Sequence, residues 1–311
     1  MKFVTIDFET YYDQDYTLQK LSTEDYVNDP RFEVILVGIK INNEAPYWVT
    51  GTKAQIGEHL AGLNLHECAV LAHNTMFDGL ILAVHFDIFP KMYCDTLAMA
   101  QVYLKPYSRS ISLDSCLKQL DLGIKKGDVV YNMKGRTRLS LSRSELEGYG
   151  QYCIDDCEGE YRLFRHFLSL MPREELEIID ITLRMYLQPR LVLDPNLMAQ
   201  QLGEVRAKKQ QALNSLPSDV QQSDLMSNVK FAEVLTRYGV DPPLKISPTT
   251  GAASYAFAKT DTGWKELEEE WADDPVVSAI LTARLSAKST IEETRYQRLL
   301  DIANRYGHFR I

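Results

Sequence analysis

The first half of the chain sets short β-branched runs between amphipathic segments, and that alternation restricts it to an α/β architecture. KFVTIDF opens at Lys2, FEVILVGIKI follows at Phe32, PYWVT makes a third short strand, and CAVLAHN is an apolar run of strand length directly before a helical pattern. Helices are predicted over 52–61, 77–84, 96–103 and 113–120, with Ser112 or Asp114 placed to cap the last. GIKKGDVVYNMKGRTR, from Gly123 to Arg138, has neither period and reads as a mobile basic loop. A long helix is expected from Arg143 towards Leu168, where Pro172 breaks it, and mostly helical sequence continues to about Tyr238. The punctuation DPPLKISPTTGAASY then precedes a helical run ending near Tyr306. A boundary near Pro189 divides an α/β domain, 1–188, from a mainly helical domain, 189–311.

Composition narrows the function. With 34 Lys and Arg against 43 Asp and Glu, a formal charge of −9, the chain does not coat nucleic acid through net positivity, although local basic patches remain available. The longest apolar runs, such as VILVGI and VVSAIL, fall far short of the ~20 residues a membrane span needs. Met1 opens directly into a strand pattern, so a soluble, cytoplasmic protein without a secretory signal is expected. Cys68, Cys94, Cys116, Cys153 and Cys157 are odd in number and scattered, which predicts reduced, buried thiols. Cys153 and Cys157, taken with His66, Cys68 and His73, lack the paired C-x₂-C spacing of a structural zinc site.

Three segments carry chemistry. Asp7 and Glu9 stand two apart in an apolar strand, so their side chains leave the same face, where two carboxylates are costly unless paired or bound to a cation. In HNTMFDG, Asn74 and Asp78 are four apart at a helix start. In YCIDDCEGEYRLF, Tyr152 and Asp156 share a helix face at i, i+4, and Asp155 is turned about 100° away. Singly, each is equally a turn, a cap or a solvated helix face. The ordered set is the informative pattern.

D-x-E, N-x₃-D and Y-x₃-D in this order resemble the three motifs of the DEDD-type 3′→5′ exonucleases, tyrosine subclass, whose fold is ribonuclease-H-like: a mixed sheet flanked by helices. The resemblance implies that Asp7, Glu9, Asp78 and Asp156 are metal-binding carboxylates, that Tyr152 orients the attacking water, and that Thr10 and Asn74 contact the terminal nucleotide. It implies two Mg²⁺ ions, with Mn²⁺ equally suited to an all-oxygen site. Asp7 then bridges the ions, Glu9 and Asp156 complete one, and Asp78 holds the other through water.

CDTLAMAQVYLKP and SLDSCLKQLDLGIKKG are similar to segments between the second and third motifs of bacteriophage-type family A DNA polymerases. PLKISPTTGAASYAFAKTD and ARLSAKSTIEETRYQRLL resemble the thumb of the same polymerases. Taken as one helix, this last stretch places Arg284, Lys288, Arg295, Arg298 and Arg305 within an arc of about 100°, a stripe suited to duplex phosphates. Lys125, Lys126, Lys134, Arg136 and Arg138 form a second basic patch that would guide a single strand. Palm and fingers do not follow the thumb-like segment before Ile311, so the resemblance implies proofreading exonuclease and thumb acting on single-stranded and primer-template DNA, with a separate palm-and-fingers chain as partner. Two other readings are a non-catalytic DNA-binding assembly subunit and a free-standing RNA-trimming nuclease.

Overall fold

The computed structural model describes residues 1–123, 133–247 and 251–310. The chain divides into two compact units, Met1–Arg190 together with Arg310, and Leu191–Phe309.

The first unit is built on a five-stranded sheet of order β3-β2-β1-β4-β5. β1 (Phe3–Thr10), β2 (Val34–Ile41) and β3 (Tyr47–Val49) form an antiparallel meander, and β4 (Ala69–Ala72) and β5 (Met92–Asp95) add parallel to β1. β5 was not foreseen in the sequence, because MYCD is too short and polar to show a strand period. It is held by β4 and by α7 (Arg173–Leu187), whose Asp180 accepts the Tyr93 N–H at 2.7 Å on this outer strand.

Period-2 alternation assigns the two faces. Val4, Ile6 and Phe8 of β1 are buried with residues of α1 (Thr23–Asn28), α2 (Lys53–Gly62), α3 (Thr75–Phe86) and α7. The opposite face packs on α4 (Thr96–Tyr103), α5 (Leu113–Gln119) and α6 (Arg143–Leu168), through Leu71, Cys94, Met99, Leu117, Leu163 and Phe164. Local signals start these helices where the sequence places them. Thr52 and Gln55 make a capping box at α2, Ser112 caps α5, and Ser142 and Glu145 make the box at α6.

α6 lies unusually close to the sheet. A methyl group on Gly38 of β2 would stand 2.7 Å from Cys153 Sγ, 2.8 Å from Cys157 Sγ and 3.2 Å from the Cys153 carbonyl oxygen. One at Gly150 would meet the Trp48 ring at 2.4 Å. Both glycines are therefore a condition of α6 reaching β1, since Gly38 pairs with Asp7 across the ladder.

The second unit is mainly helical. It comprises α8 (Pro195–Asn214), α9 (Gln222–Met226), α10 (Asn228–Arg237), α11 (Thr262–Glu270), α12 (Pro275–Lys288) and α13 (Ile291–Tyr306). Two small ribbons accompany them, β6 (Leu191–Val192) with β9 (His308–Phe309), and β7 (Leu244–Ile246) with β8 (Ala253–Tyr255). Asp194-Pro195 and Asp274-Pro275 open α8 and α12 as cap and first helical residue. Phe231, Leu235, Trp264, Ile280 and Leu281 centre its core.

The continuous basic helix expected at the C-terminal end is corrected here. Ser289 leaves the helix with extended backbone, so α12 and α13 are separate. Arg284 is not a solvent-facing phosphate ligand: it is 3% exposed, with its guanidinium 4.8 Å from the Phe231 ring centroid and hydrogen-bonded to Asn228. Lys288, Arg295 and Arg298 are exposed, and Glu293 ties α13 to α8 through Arg206 at 2.9 Å and Lys209 at 3.2 Å. Among the described residues no helix is long and apolar enough to cross a membrane.

Gly38→Ala is expected to destabilise the protein by about 1–3 kcal/mol, because the added methyl meets backbone as well as two thiols. Urea denaturation followed by far-ultraviolet circular dichroism checks this, and a midpoint unchanged from the parent would contradict the close packing of α6.

Candidate active site

β1 pairs with β4 only from Phe3↔Ala69 to Thr5↔Leu71, so its last residues run on beyond the parallel partner. Asp78, in the first turn of α3, lies against this end of β1 and accepts the Phe8 N–H at 3.0 Å. Asp7 and Glu9 leave the β1 face that packs on α6, and a register shift at Glu9/Thr10 re-aims the strand end. From α6 come Tyr149, Tyr152, Cys153, Asp156 and Glu160, a 3–4 spacing that keeps them on one side of the helix.

Within this space the Tyr149 hydroxyl donates to Glu9 Oε2. Cys153 Sγ lies 3.3 Å from both the Asp7 carbonyl oxygen and Asp7 Oδ2. The Tyr152 hydroxyl is hydrogen-bonded to Asp156. Among the described residues Asp7, Glu9 and Cys153 offer ligand atoms all within 4.8 Å of one another, a grouping suited to a metal ion. Asp78 and Asp156 lie outside that tightest group but close enough to act on it by charge.

The electrostatics follow from crowding like charges in a dry place. Burial, then repulsion from Asp7, holds the Glu9 carboxyl well above the usual carboxylate range. Burial and Asp7 do the same to Asp78, 4% exposed, against the opposing effect of the Phe8 N–H. Burial, with Asp156 and Glu9 nearby, raises Tyr152, and burial with Glu9 raises Tyr149, so both phenols stay protonated at neutral pH. Burial also pushes the Cys153 thiol up, leaving it a hydrogen-bond donor.

The structure thus brings together Asp7, Glu9, Asp78, Tyr152 and Asp156. Asn74 sits at the mouth of α3, exposed and left-handed (φ 84°), with its N–H donated to Asp95 at 3.0 Å. Thr10 is buried, and its hydroxyl is engaged by Tyr26 at 2.9 Å. Arg136 is in an ion pair with Glu145 at 3.1 Å, which joins its loop to the N-terminal cap of α6. Lys125 and Lys126 lie outside the described residues.

Three neighbours escaped the sequence reading: Tyr149, Cys153 in contact with Asp7, and Glu160. Glu160 is 3% exposed; Oε1 accepts the His73 N–H at 3.0 Å, and Oε2 has no hydrogen-bond partner among the described residues. Burial and Asp7 raise its carboxyl well above the usual range, so a fifth acid borders the site. The usable signal was the spacing 149, 153, 156, 160, which marks one helix face carrying acids where a core face would be apolar.

Metal-free protein is expected to lose stability as pH rises above the ordinary carboxylate range. Glu9 and Asp78 bind protons more tightly folded than unfolded, so the folded state holds more protons in that window and stability falls with increasing pH. Thermal melts in EDTA check this: the midpoint should fall from acid towards neutral pH, Asp78→Asn should flatten the slope, and Mg²⁺ should restore the neutral value. A midpoint that rises over the window would contradict the assigned repulsion.

No protein-family model matches the sequence, and no curated protein matches it. Solved structures do resemble it. The POL domain of Pol1 from M. smegmatis, in complex with DNA primer-template and dNTP, aligns over 99% of this chain and 48% of its own, at 14% identity and TM-score 0.53. Brucella melitensis NrnC bound to pGG aligns over 58% of this chain and 80% of its own (18% identity, TM-score 0.40). The catalytic core of RRP6 from Trypanosoma brucei aligns over 97% and 73% (14% identity, TM-score 0.42). At these identities the likeness is one of fold: a ribonuclease-H-like mixed sheet flanked by helices, followed by a mainly helical part.

Proposed function

We propose that the chain is a metal-dependent 3′→5′ exonuclease acting on DNA. The observation that carries this reading is the convergence of Asp7, Glu9, Asp78 and Asp156 with the protonated phenol of Tyr152 at the carboxyl end of β1. The donors fit Mg²⁺ or Mn²⁺, because the carboxylates are hard oxygen ligands whose burial and mutual repulsion a divalent cation relieves. Asp7, Glu9 and Asp156 would hold one ion, and Asp7 with Asp78 the other. When bound, such ions supply the charge stabilisation and water activation that phosphodiester hydrolysis needs.

The chain's own residues supply the rest. Tyr152, anchored on Asp156, keeps its proton and serves to orient the attacking water rather than to deprotonate it. Tyr149 fixes one Glu9 oxygen and leaves the other for the ion. Asn74, exposed where α3 begins, would meet the terminal nucleotide. We read Leu191–Phe309 as a thumb-like DNA-binding unit and the whole as the proofreading part of a family A polymerase, whose palm and fingers stand on the same or a separate polypeptide. The fold likeness to the Pol1 POL domain over 99% of this chain supports that reading.

Digestion of a 5′-labelled single strand with Mg²⁺ or EDTA tests the activity, with DNA and RNA run in parallel. Mg²⁺-dependent shortening of DNA from the 3′ end is expected. Asp156→Asn should lower the rate by roughly 100-fold or more. Asp155→Asn, whose side chain accepts a hydrogen bond from Gln151, should stay within about twofold. Tyr152→Phe should keep its affinity for the ion and lose up to roughly 100-fold in rate. Equal losses at 155 and 156 would overturn the assignment, and preferential RNA digestion would move the substrate class.

Neutralising Lys288, Arg295 and Arg298 together should reduce the slope of log affinity for duplex DNA against log salt by about 2–3. An unchanged slope in a salt titration by fluorescence anisotropy would return those side chains to ordinary solvated charges.

A further inference from the structure

α6 reaches the start of α3 through a buried side chain that the proposed chemistry does not use, that of Glu160. We propose that Glu160 is a positioning residue of the nuclease: by accepting the His73 N–H it fixes the turn that starts α3, and so sets Asn74 and Asp78 against Asp156 and Tyr152. The inference rests on reading Asp78 and Asp156 as metal ligands, and one arm of its test requires neither metal nor hydrolysis.

Three consecutive amides at the end of β4 are bonded to side chains. The Ala72 N–H goes to Thr75 Oγ1 at 3.1 Å, the His73 N–H to Glu160 Oε1 at 3.0 Å and the Asn74 N–H to Asp95 Oδ1 at 3.0 Å. Thr75 belongs to α3 itself and Asp95 to the neighbouring strand β5, whereas Glu160 belongs to α6. α3 and α6 pack on opposite faces of the sheet, so this hydrogen bond ties α6 to the turn that starts α3. Within each helix the spacing is rigid. Asp156 and Glu160 on α6, like Asn74 and Asp78 at the start of α3, are one i, i+4 step apart, about 6 Å of helix rise. A displacement of the turn therefore moves Asp78 against Asp156. The turn is constrained on its other sides too: His73 Nε2 donates to the Ile111 carbonyl at 3.0 Å, His73 Nδ1 is 2.9 Å from Thr96 Oγ1, and Asn74 is left-handed at φ 84°. An acid 3% exposed on a helix is costly. Among the described residues Glu160 Oε2 has no hydrogen-bond partner, and it is the other oxygen, on His73, that gives this acid a role.

Glu160→Gln and Glu160→Leu separate the hydrogen bond from the volume. The first keeps an oxygen for the His73 N–H, and the second fills similar space with no acceptor. Both are checked for folding by circular dichroism and compared with the parent in two measurements: amide exchange over residues 72–78 in metal-free protein, and the Mg²⁺ dependence of digestion of a 5′-labelled single strand of DNA. Glu160→Gln is expected to keep the parent's exchange and to stay within about threefold of its rate. Glu160→Leu should exchange faster at His73 and Asn74, lose roughly 10–100-fold in kcat and need more Mg²⁺. The proposal is overturned if Glu160→Leu matches the parent in either exchange or rate, or if Glu160→Gln falls as far as Glu160→Leu. A parent that digests nothing while the exchange pattern is as expected would count against the nuclease reading and leave the clamp on the turn standing.

Discussion

Four carboxylates cluster at the carboxyl end of β1, largely buried, and their mutual repulsion is the constraint around which the first unit is arranged. Asp7 raises Glu9 and Asp78, and each is also raised by burial. A fold seeking stability alone would disperse them. Here the scaffold holds each from a different direction: β1 carries two, the first turn of α3 a third, and α6 the fourth. Backbone and phenolic donors steady individual oxygens without neutralising the set, as the Phe8 N–H does for Asp78 and Tyr149 for Glu9. A divalent cation held among them would relieve the whole set at once.

The supporting architecture follows from that demand. β1 outruns β4, the pairing stopping at Thr5↔Leu71, so Asp7 and Glu9 lie beyond the parallel partner. α6 must approach closely enough to deliver Tyr152 and Asp156, which Gly38 and Gly150 permit by having no side chain. The turn before α3 is clamped by carboxylates through its backbone, His73 N–H to Glu160 and Asn74 N–H to Asp95. Among the described residues, the clustered acids and phenols are carried by strands and helices.

The second unit shows why charge patterning is a weaker guide than carboxylate patterning. A basic residue on a helix is equally consistent with a phosphate contact, a surface ion pair or a stacked core position, and its long stem can follow any of these. Arg284 took the third course and lies over Phe231 within the core. Lys288, Arg295 and Arg298 stayed exposed, on two helices instead of one. An acid in an apolar strand has fewer options, so Asp7 and Glu9 carried more information than all the arginines of the C-terminal helices.

Periodicity and turn signals by themselves pointed to the elements: strands in KFVTIDF and FEVILVGIKI, helices over 52–61 and 113–120 with Ser112 at the cap, a long helix from Arg143, and two acids on one face of β1. These are local properties, set by backbone dihedrals and side-chain period within a few residues. Tertiary structure alone decided that β5 exists, that α12 and α13 part at Ser289, and that Arg284 is buried. It also decided that Tyr149, Cys153 and Glu160 join the carboxylates. Each of those outcomes depends on contacts between residues far apart in the chain, such as Cys153 with Asp7 across 146 positions, and no local pattern encodes which distant partner a side chain will meet.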